Sequence, residues 1–527
     1  MSSEHVVLRS GTVVDGGGVR SRVADVEIAD GRIVSVGQRL QTAGAREVDA
    51  GGRLVVPGFV DTHSHADAAV FRKDVQRALL RQGVTSIVVG QDGVSYAPGD
   101  GVYATEYFAA LNGAHPTYRG GGVDALLAGY DGRVAVNVGY LIPSSTIRHE
   151  VMGFRADPAD AAELAQMRHL VAEGMAEGAL GLSTGLDYVP NIYATTEELI
   201  ELCRPVAAGG GVYVTHMRGG YEHNAQVGTD EIGRIIEATG VSVQISHYHG
   251  PSGLLLSLLE DLQSRGGDVT FDAYPYRRGC TLVAMPLLPP ELLSGRNDDV
   301  ATQLFDPAVR ARLLSEWFPQ VAANPDMGPE WPQNLTFAHI SEPRYAWAVG
   351  ETIEGAAARA GRAPEEFVLD VLAASRLEAS GVMKVRDRRP YDDLAKLFTH
   401  PAHLAGSDGI YVGAHPHPRA WATFAKFLRL MVRDRGDYTW PDAVSHLGAR
   451  AAQRFGIGDR GLVRPGCIAD LALIDPDAVA DGATYETPMT DATGIDDVFV
   501  AGTQVLADGG LTGALPGSGL RRDRVVR

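Results

Sequence analysis

Cysteine is scarce in this chain of 527 residues. Cys203, Cys280 and Cys467 are too few and too scattered for a disulfide framework, and no C-x-x-C spacing occurs, so all three are expected as buried thiols. Lysine is nearly as scarce: only Lys73, Lys384, Lys396 and Lys426 are present. No basic cluster offsets a formal net charge of -18, which excludes a nucleic-acid or anionic-membrane partner on electrostatic grounds. No apolar run approaches the length of a membrane span, and "MSSEHVVLRS" lacks the basic start and apolar core of a secretory signal. A cytoplasmic protein is the expectation; its oligomeric state is left open.

What is present is a large apolar inventory. Hydrophobic residues make up 45% of the chain and charged ones 21%, enough for one large domain and a smaller one. The first sixty residues read as short strands broken by Gly turns, in "VVLRSGTVVDGGG", "RVADVEIADGRIVSVG" and "REVDAGGRLVVPGFVD". The same texture returns in "GLVRPGCIADLALIDP" and "IDDVFVAGTQVLADGG". The two ends therefore pair into one small β-sandwich: residues 1–57 supply its first part, and 441–527 a C-terminal helix and its second part.

Between them, 58–440 alternates strand and helix signals, as a parallel α/β fold requires. Strand-like runs fall at 85–92, 133–140, 179–184, 212–216, 241–247, 268–274 and 402–408, and an earlier one ends at His63. Eight such runs predict a (β/α)8 TIM-type barrel. A helix is expected over 157–178, capped by Asp157, with Leu164, Met167, Val171 and Met175 on one face. A second is expected from Thr195, stopping before the glycines at 209–211. The Pro-rich stretch near 284–333 reads as an insertion, and "LTFAHI" and "GVMKV" are further candidate strands.

In such a barrel, chemistry gathers at the C-terminal ends of the strands. There stand His63 and His65 on the first, Asp92 on the second, His216 on the fifth, His247 on the sixth and Asp408 on the eighth. Residues i and i+2 of an extended strand share a face, so His63 and His65 point together into the barrel mouth, where two imidazoles can chelate one ion. An H-x-H pair is weak evidence alone. Four more residues of metal-binding type, each ending its own strand, turn it into a candidate divalent-metal site.

With these motifs in order, "VVPGFVDTHSHAD", "GVTSIVVGQDGVSYAP", "EGALGLSTGLDYVP", "YVTHMRG", "VQISH", "DAYPY", "GSDG" and "HPR" among them, the chain resembles the amidohydrolase superfamily and, within it, the N-acyl-D-amino-acid deacylases or D-aminoacylases. The resemblance implies a metal-bearing barrel with zinc near His216 and His247, and a second position formed or bordered by His63, His65 and Asp408. One or two divalent ions are expected, with Mn2+ or Co2+ as other candidates. Relatives carry a cysteine ligand where this chain has Asp92 in "GQDG", so a harder, bridging carboxylate replaces thiolate. The carboxylated lysine of hydantoinase-like sites is disfavoured, because none of the four lysines ends strand four.

Asp408 matches the superfamily's catalytic aspartate, a carboxylate that takes the proton of an attacking metal-activated water and passes it to the departing amine. Arg419, in the "HPR" place, is the first choice for a bidentate contact to a substrate carboxylate. Tyr188, Tyr274 and Tyr276 are candidates for hydroxyl contacts. Relatives commonly have a Gly-His pair after strand three and a lysine after the strand-six histidine; here those places hold Ser144 and His249. The resemblance thus implies metal-dependent hydrolysis of a non-peptide amide C–N bond, foremost deacylation of an N-acyl-D-amino acid. A different cyclic or dipeptide-like amide, and a catalytically silent binding or scaffold protein, stay open as alternatives.

Overall fold

The computed structural model describes residues 5–18, 20–386 and 389–522. Eight parallel strands form the central barrel: β1 (Phe59–Asp61), β2 (Val84–Val89), β3 (Asn137–Pro143), β4 (Gly181–Gly185), β5 (Val212–His216), β6 (Ser242–Ile245), β7 (Val269–Ala273) and β8 (His403–Ala405). Each pairs with its sequence neighbour, and nearly every residue in them is buried, as both faces of a helix-covered parallel sheet demand. The ring closes between the first and last strands just where the site lies. Thr62 N donates to Ala405 O at 3.2 Å, Asp408 N to His63 O at 2.8 Å and His65 N to Gly409 O at 3.0 Å. Asp61 reinforces that seam, accepting from Ser407 N at 2.7 Å and Ser407 Oγ at 2.5 Å.

Gly406 sits at a crowded point of the seam. A Cβ there would meet His63 Cβ at 2.9 Å and Asp272 Cβ at 3.0 Å, so only glycine lets β8 run this close to both.

The helices follow local signals closely, with one shift. The first expected helix, α1 (Ala161–Ala176), starts at Asp160 rather than Asp157. Asp160 accepts from Ala162 N and Glu163 N while Glu163 reaches back to Asp160 N, a reciprocal capping box. Met167 and Val171 are buried, and Leu164 and Met175 pack half-buried beside them. The second, α2 (Thr196–Ala208), is capped by Thr195 through Glu198 N at 3.2 Å and ends before the glycine run. Among the described residues no helix is long and apolar enough to cross a membrane.

The two chain ends meet in a nine-stranded sheet beside the barrel. Leu54–Pro57 pairs antiparallel with Leu471–Ile474, joining the N-terminal strands to the C-terminal ones. Val6, Leu8, Val26, Ile28, Leu471, Leu473 and Phe499 form its own buried cluster. Between β7 and β8 the chain leaves the barrel for a longer excursion than the Pro-rich stretch suggested. Strands Arg278–Leu282, Leu335–Ile340 and Ala379–Lys384 make a three-stranded antiparallel sheet that brackets the short helices of 284–334.

Candidate metal centre and active site

Six side chains converge at the C-terminal mouth of the barrel, each delivered by the end of its strand. Asp92 is at the centre. Its Oδ1 lies 3.6 Å from His63 Nε2 and 3.7 Å from His247 Nε2, and its Oδ2 lies 3.6 Å from His65 Nε2 and 4.0 Å from His216 Nδ1. Asp408 Oδ1 stands 3.3 Å from His65 Nε2 and 3.7 Å from His63 Nε2. His216 Nδ1 and His247 Nε2 face each other at 3.2 Å.

Two groupings have the spacing of a metal site: His63, Asp92 and His247, and His63, His65 and Asp408. Two imidazole nitrogens about 2.0–2.1 Å from one tetrahedral zinc stand roughly 3.3 Å apart, close to the His216–His247 separation. His63 Nε2 and Asp92 Oδ1, atoms that face the centre, are buried without a hydrogen-bond partner among the described residues. Buried polar atoms are rarely left so unless something else binds them. The donor set and its orphaned atoms therefore fit one or two divalent ions of the zinc, manganese or cobalt type.

The electrostatics make the same demand. Burial disfavours the charged form of His65, yet Asp408 and Asp92 carry its pKa up to about 10. Burial also opposes ionisation of Asp92, but the imidazoles, His247 first, hold it well below the ordinary carboxylate range. This is a pocket of carboxylates that requires positive charge, which a divalent cation supplies more completely than protons. Asp92, His247 and Asp408 sit at φ values of 53°, 34° and 50°, in the left-handed region that side chains seldom occupy, and such strain concentrates at functional positions.

Above the centre opens a cavity of about 430 Å3 whose wall includes His65, Asp92, His216, His247 and Asp408. The excursion between β7 and β8 supplies its apolar side, through Met285, Leu288, Trp317, Met327 and Met383. A larger depression of about 790 Å3 lies on the terminal β domain around Arg9 and Asp25 and contains none of these residues.

The residues expected to touch substrate divide into two groups. Arg419, Tyr274, Tyr188 and His249 line the cavity. Arg419 Nη2 is paired with Asp408 Oδ2 at 2.8 Å and its guanidinium lies 4.7 Å over the Tyr274 ring. The Tyr188 ring packs 5.3 Å from His216. His249 Nδ1 is 2.8 Å from the carbonyl oxygen of His247, so that nitrogen carries the proton and Nε2 of the neutral ring is an acceptor, unsuited to a carboxylate.

Ser144 and Tyr276 are outside the cavity wall. Ser144 is fully buried at the end of β3, where it accepts from Asn191 Nδ2 at 2.5 Å. Tyr276 packs between His417, Tyr485 and Lys426, because the turn after β7 aims it away from the mouth. Of the cysteines, Cys203 is buried while Cys280 and Cys467 are half-buried, and Cys280 borders the cavity.

Two carboxylates at the centre were not anticipated. Asp272 Oδ1 is 3.4 Å from His63 Nδ1 and accepts from His247 N at 2.7 Å. Asp187 Oδ2 is 3.0 Å from His216 Nε2. Both were visible as acidic residues at strand ends, in "DVTFDAY" and "STGLDYVP", the signal that singled out Asp92 and Asp408.

Comparison with known proteins places this geometry. A family model described as amidohydrolase family matches residues 46–285 and 299–506. The chain belongs to the amidohydrolase family. Within it, the chain is 32% identical to a D-aminoacylase of Alcaligenes xylosoxydans xylosoxydans, over 98% of this chain and 97% of that one. A solved D-aminoacylase, studied for its binuclear metal centre, superposes with a TM-score of 0.81 at 32% identity, covering 98% of this chain and 99% of the other. The N-acyl-D-glutamate deacylase of Bordetella Bronchiseptica, solved with zinc and a phosphonate mimic of the tetrahedral intermediate, gives 0.80 at 29% identity over 99% and 100%. These amidohydrolases group the chain with the N-acyl-D-amino-acid deacylases, as its motifs implied.

Proposed function

We propose that this protein is a zinc-dependent hydrolase that deacylates N-acyl-D-amino acids to a carboxylate and a free amine. The observation that carries the reading is the convergence of His63, His65, Asp92, His216, His247 and Asp408 at the floor of a partly apolar cavity. The relatives' activities toward D-configured N-acyl substrates support the substrate class.

His216 and His247 with Asp92 would hold one ion, and His63, His65 and Asp408 would complete a second position beside it. A divalent ion there supplies Lewis-acid polarisation of the acyl carbonyl and makes water acidic enough to attack near neutral pH. Asp408 does the proton work. Its carboxylate accepts a proton from the attacking water and delivers it to the amide nitrogen as the C–N bond breaks, and the water oxygen leaves in the product carboxylate. Burial pushes the Asp408 pKa up, but Arg419 and His65 outweigh it and keep the group ionised. Arg419 Nε and Nη1 have no hydrogen-bond partner among the described residues, so this side chain can hold Asp408 through Nη2 and a substrate carboxylate through its other donors. Tyr274 beneath the guanidinium fixes that orientation.

The test is amine release from a panel of N-acetylated D- and L-amino acids, with protein stripped of metal and then supplied with Zn2+, Mn2+ or Co2+. Metal-dependent turnover confined to the D series is expected. A metal-loaded protein that hydrolyses no member of the panel would sink the proposal.

A further inference from the structure

We infer that Asp187 is a positioning residue that holds His216 in the one tautomer able to bind the metal. Asp187 follows β4 by two residues. The β4–β5 ladder carries Gly185 opposite His216, and Leu186 N then donates to His216 O at 3.1 Å, so the chain brings the carboxylate directly to the far side of that imidazole. Both oxygens are used. Oδ2 is 3.0 Å from His216 Nε2, and Oδ1 accepts from Gly219 N at 2.8 Å. The carboxylate is thereby tied to the end of β5 and to the loop that follows it.

The consequence lies in the proton count of the ring. A carboxylate only accepts, so His216 Nε2 carries hydrogen and Nδ1 presents its lone pair to His247 Nε2, 3.2 Å away, and to Asp92 Oδ2 at 4.0 Å. The other tautomer would aim an N–H into the ion's place. Tyr188 and Tyr221, with ring centroids 5.3 Å and 5.8 Å from the imidazole, limit its rotation, which leaves Asp187 to choose the tautomer. A carboxylate behind a ligating histidine also raises the basicity of the ligating nitrogen. With Asp92 rather than thiolate at the centre, this added donor strength falls on the histidine that faces His247.

The inference rests on the reading of this centre as a metal site, and a binding measurement separates the two. Zn2+ affinity is measured by competition with a chromophoric chelator for the wild type and for Asp187→Ala, Asp187→Asn and Asp187→Glu. The visible spectrum of the Co2+-loaded proteins and the melting temperature of the metal-stripped ones are recorded alongside. Expected is a loss of affinity of about 10–100-fold for Asp187→Ala. A smaller loss is expected for Asp187→Asn, whose amide cannot accept from both partners, and partial recovery for Asp187→Glu. The Co2+ spectrum should shift while metal-free melting stays near wild type. Wild-type affinity in Asp187→Ala and Asp187→Asn, with KM alone raised, would make Asp187 a substrate contact and overturn the inference. A wild type that binds no metal would instead defeat the metal-site reading itself.

Discussion

Arg419 Nη2 stands 2.8 Å from Asp408 Oδ2, and both side chains are buried. This pairing ties the residue expected to recognise substrate to the residue expected to move the proton. It alters what loss of the arginine should do. A guanidinium serving only as a carboxylate clamp would, when removed, raise KM and leave turnover alone.

Arg419→Gln is therefore expected to lower kcat as well as raise KM. Asp408 keeps His65 and His63 beside it, so the stability cost should stay below the about 3–5 kcal/mol of a buried charge left with no partner. Steady-state kinetics with thermal melting checks both parts. An unchanged kcat with a raised KM would confine Arg419 to the clamp.

Asp408→Asn removes the proton carrier and little else in shape. Turnover should fall by about 10²–10⁴-fold, the usual scale of general acid–base catalysis, while at least one equivalent of metal is retained through Asp92, His216 and His247. Metal analysis and kcat on the same preparation are the measurement, and substantial residual turnover would assign the proton work elsewhere.

The barrel and the ligand-type residues were legible in the sequence because both follow from local pattern. Buried parallel strands appear as short apolar runs, and a His or Asp at the end of such a run stands out. Contacts made across the fold were not legible. The strand 379–384 pairs with 335–340 and, farther along the chain, with 278–282, so the candidate strands at 335–340 and 381–385 were readable singly while their joining into one sheet around the Pro-rich stretch was not. Ser144 and Tyr276 were placed by motif position, but side-chain direction depends on the local backbone: Ser144 opens a helix, Ser144–Met152, with its hydroxyl taken by Asn191, and Tyr276 packs against His417 and Lys426. The importance of Asp187 and Asp272 depends on which imidazole nitrogen each faces, which no spacing encodes.

Asp92 reaches both groups of histidines, through Oδ1 to His63 and His247 and through Oδ2 to His65 and His216. Asp92→Ala should weaken metal binding by more than roughly 10²-fold, a larger loss than outer partners of metal ligands produce. Asp92→Cys substitutes a soft donor, so Zn2+ should still support turnover while support by Mn2+ drops. The ratio of the two activities reads out the change, and an unaltered ratio would place Asp92 outside the coordination sphere.

A pH dependence of stability is expected from a group outside the metal site. Lys426 lies 3.9 Å over the ring of Tyr276. Burial lowers its pKa to about 8 from 10.5; Asp481 opposes the shift, while Arg429 and Arg277 reinforce it. Below pH 8 both folded and unfolded chains carry this proton, and the folded state bears the full cost of the buried charge. Between pH 8 and 10.5 the unfolded chain binds more protons at this site, so its contribution to stability rises with pH; above 10.5 the cost is gone. Lys426→Met abolishes that cost and should stabilise the protein at pH 7 by on the order of 1–3 kcal/mol, net of the lost contact with the ring. Melting curves of the two proteins should converge as pH is raised toward 10. A gap that stays constant with pH would mean the ammonium is fully solvated in the folded protein.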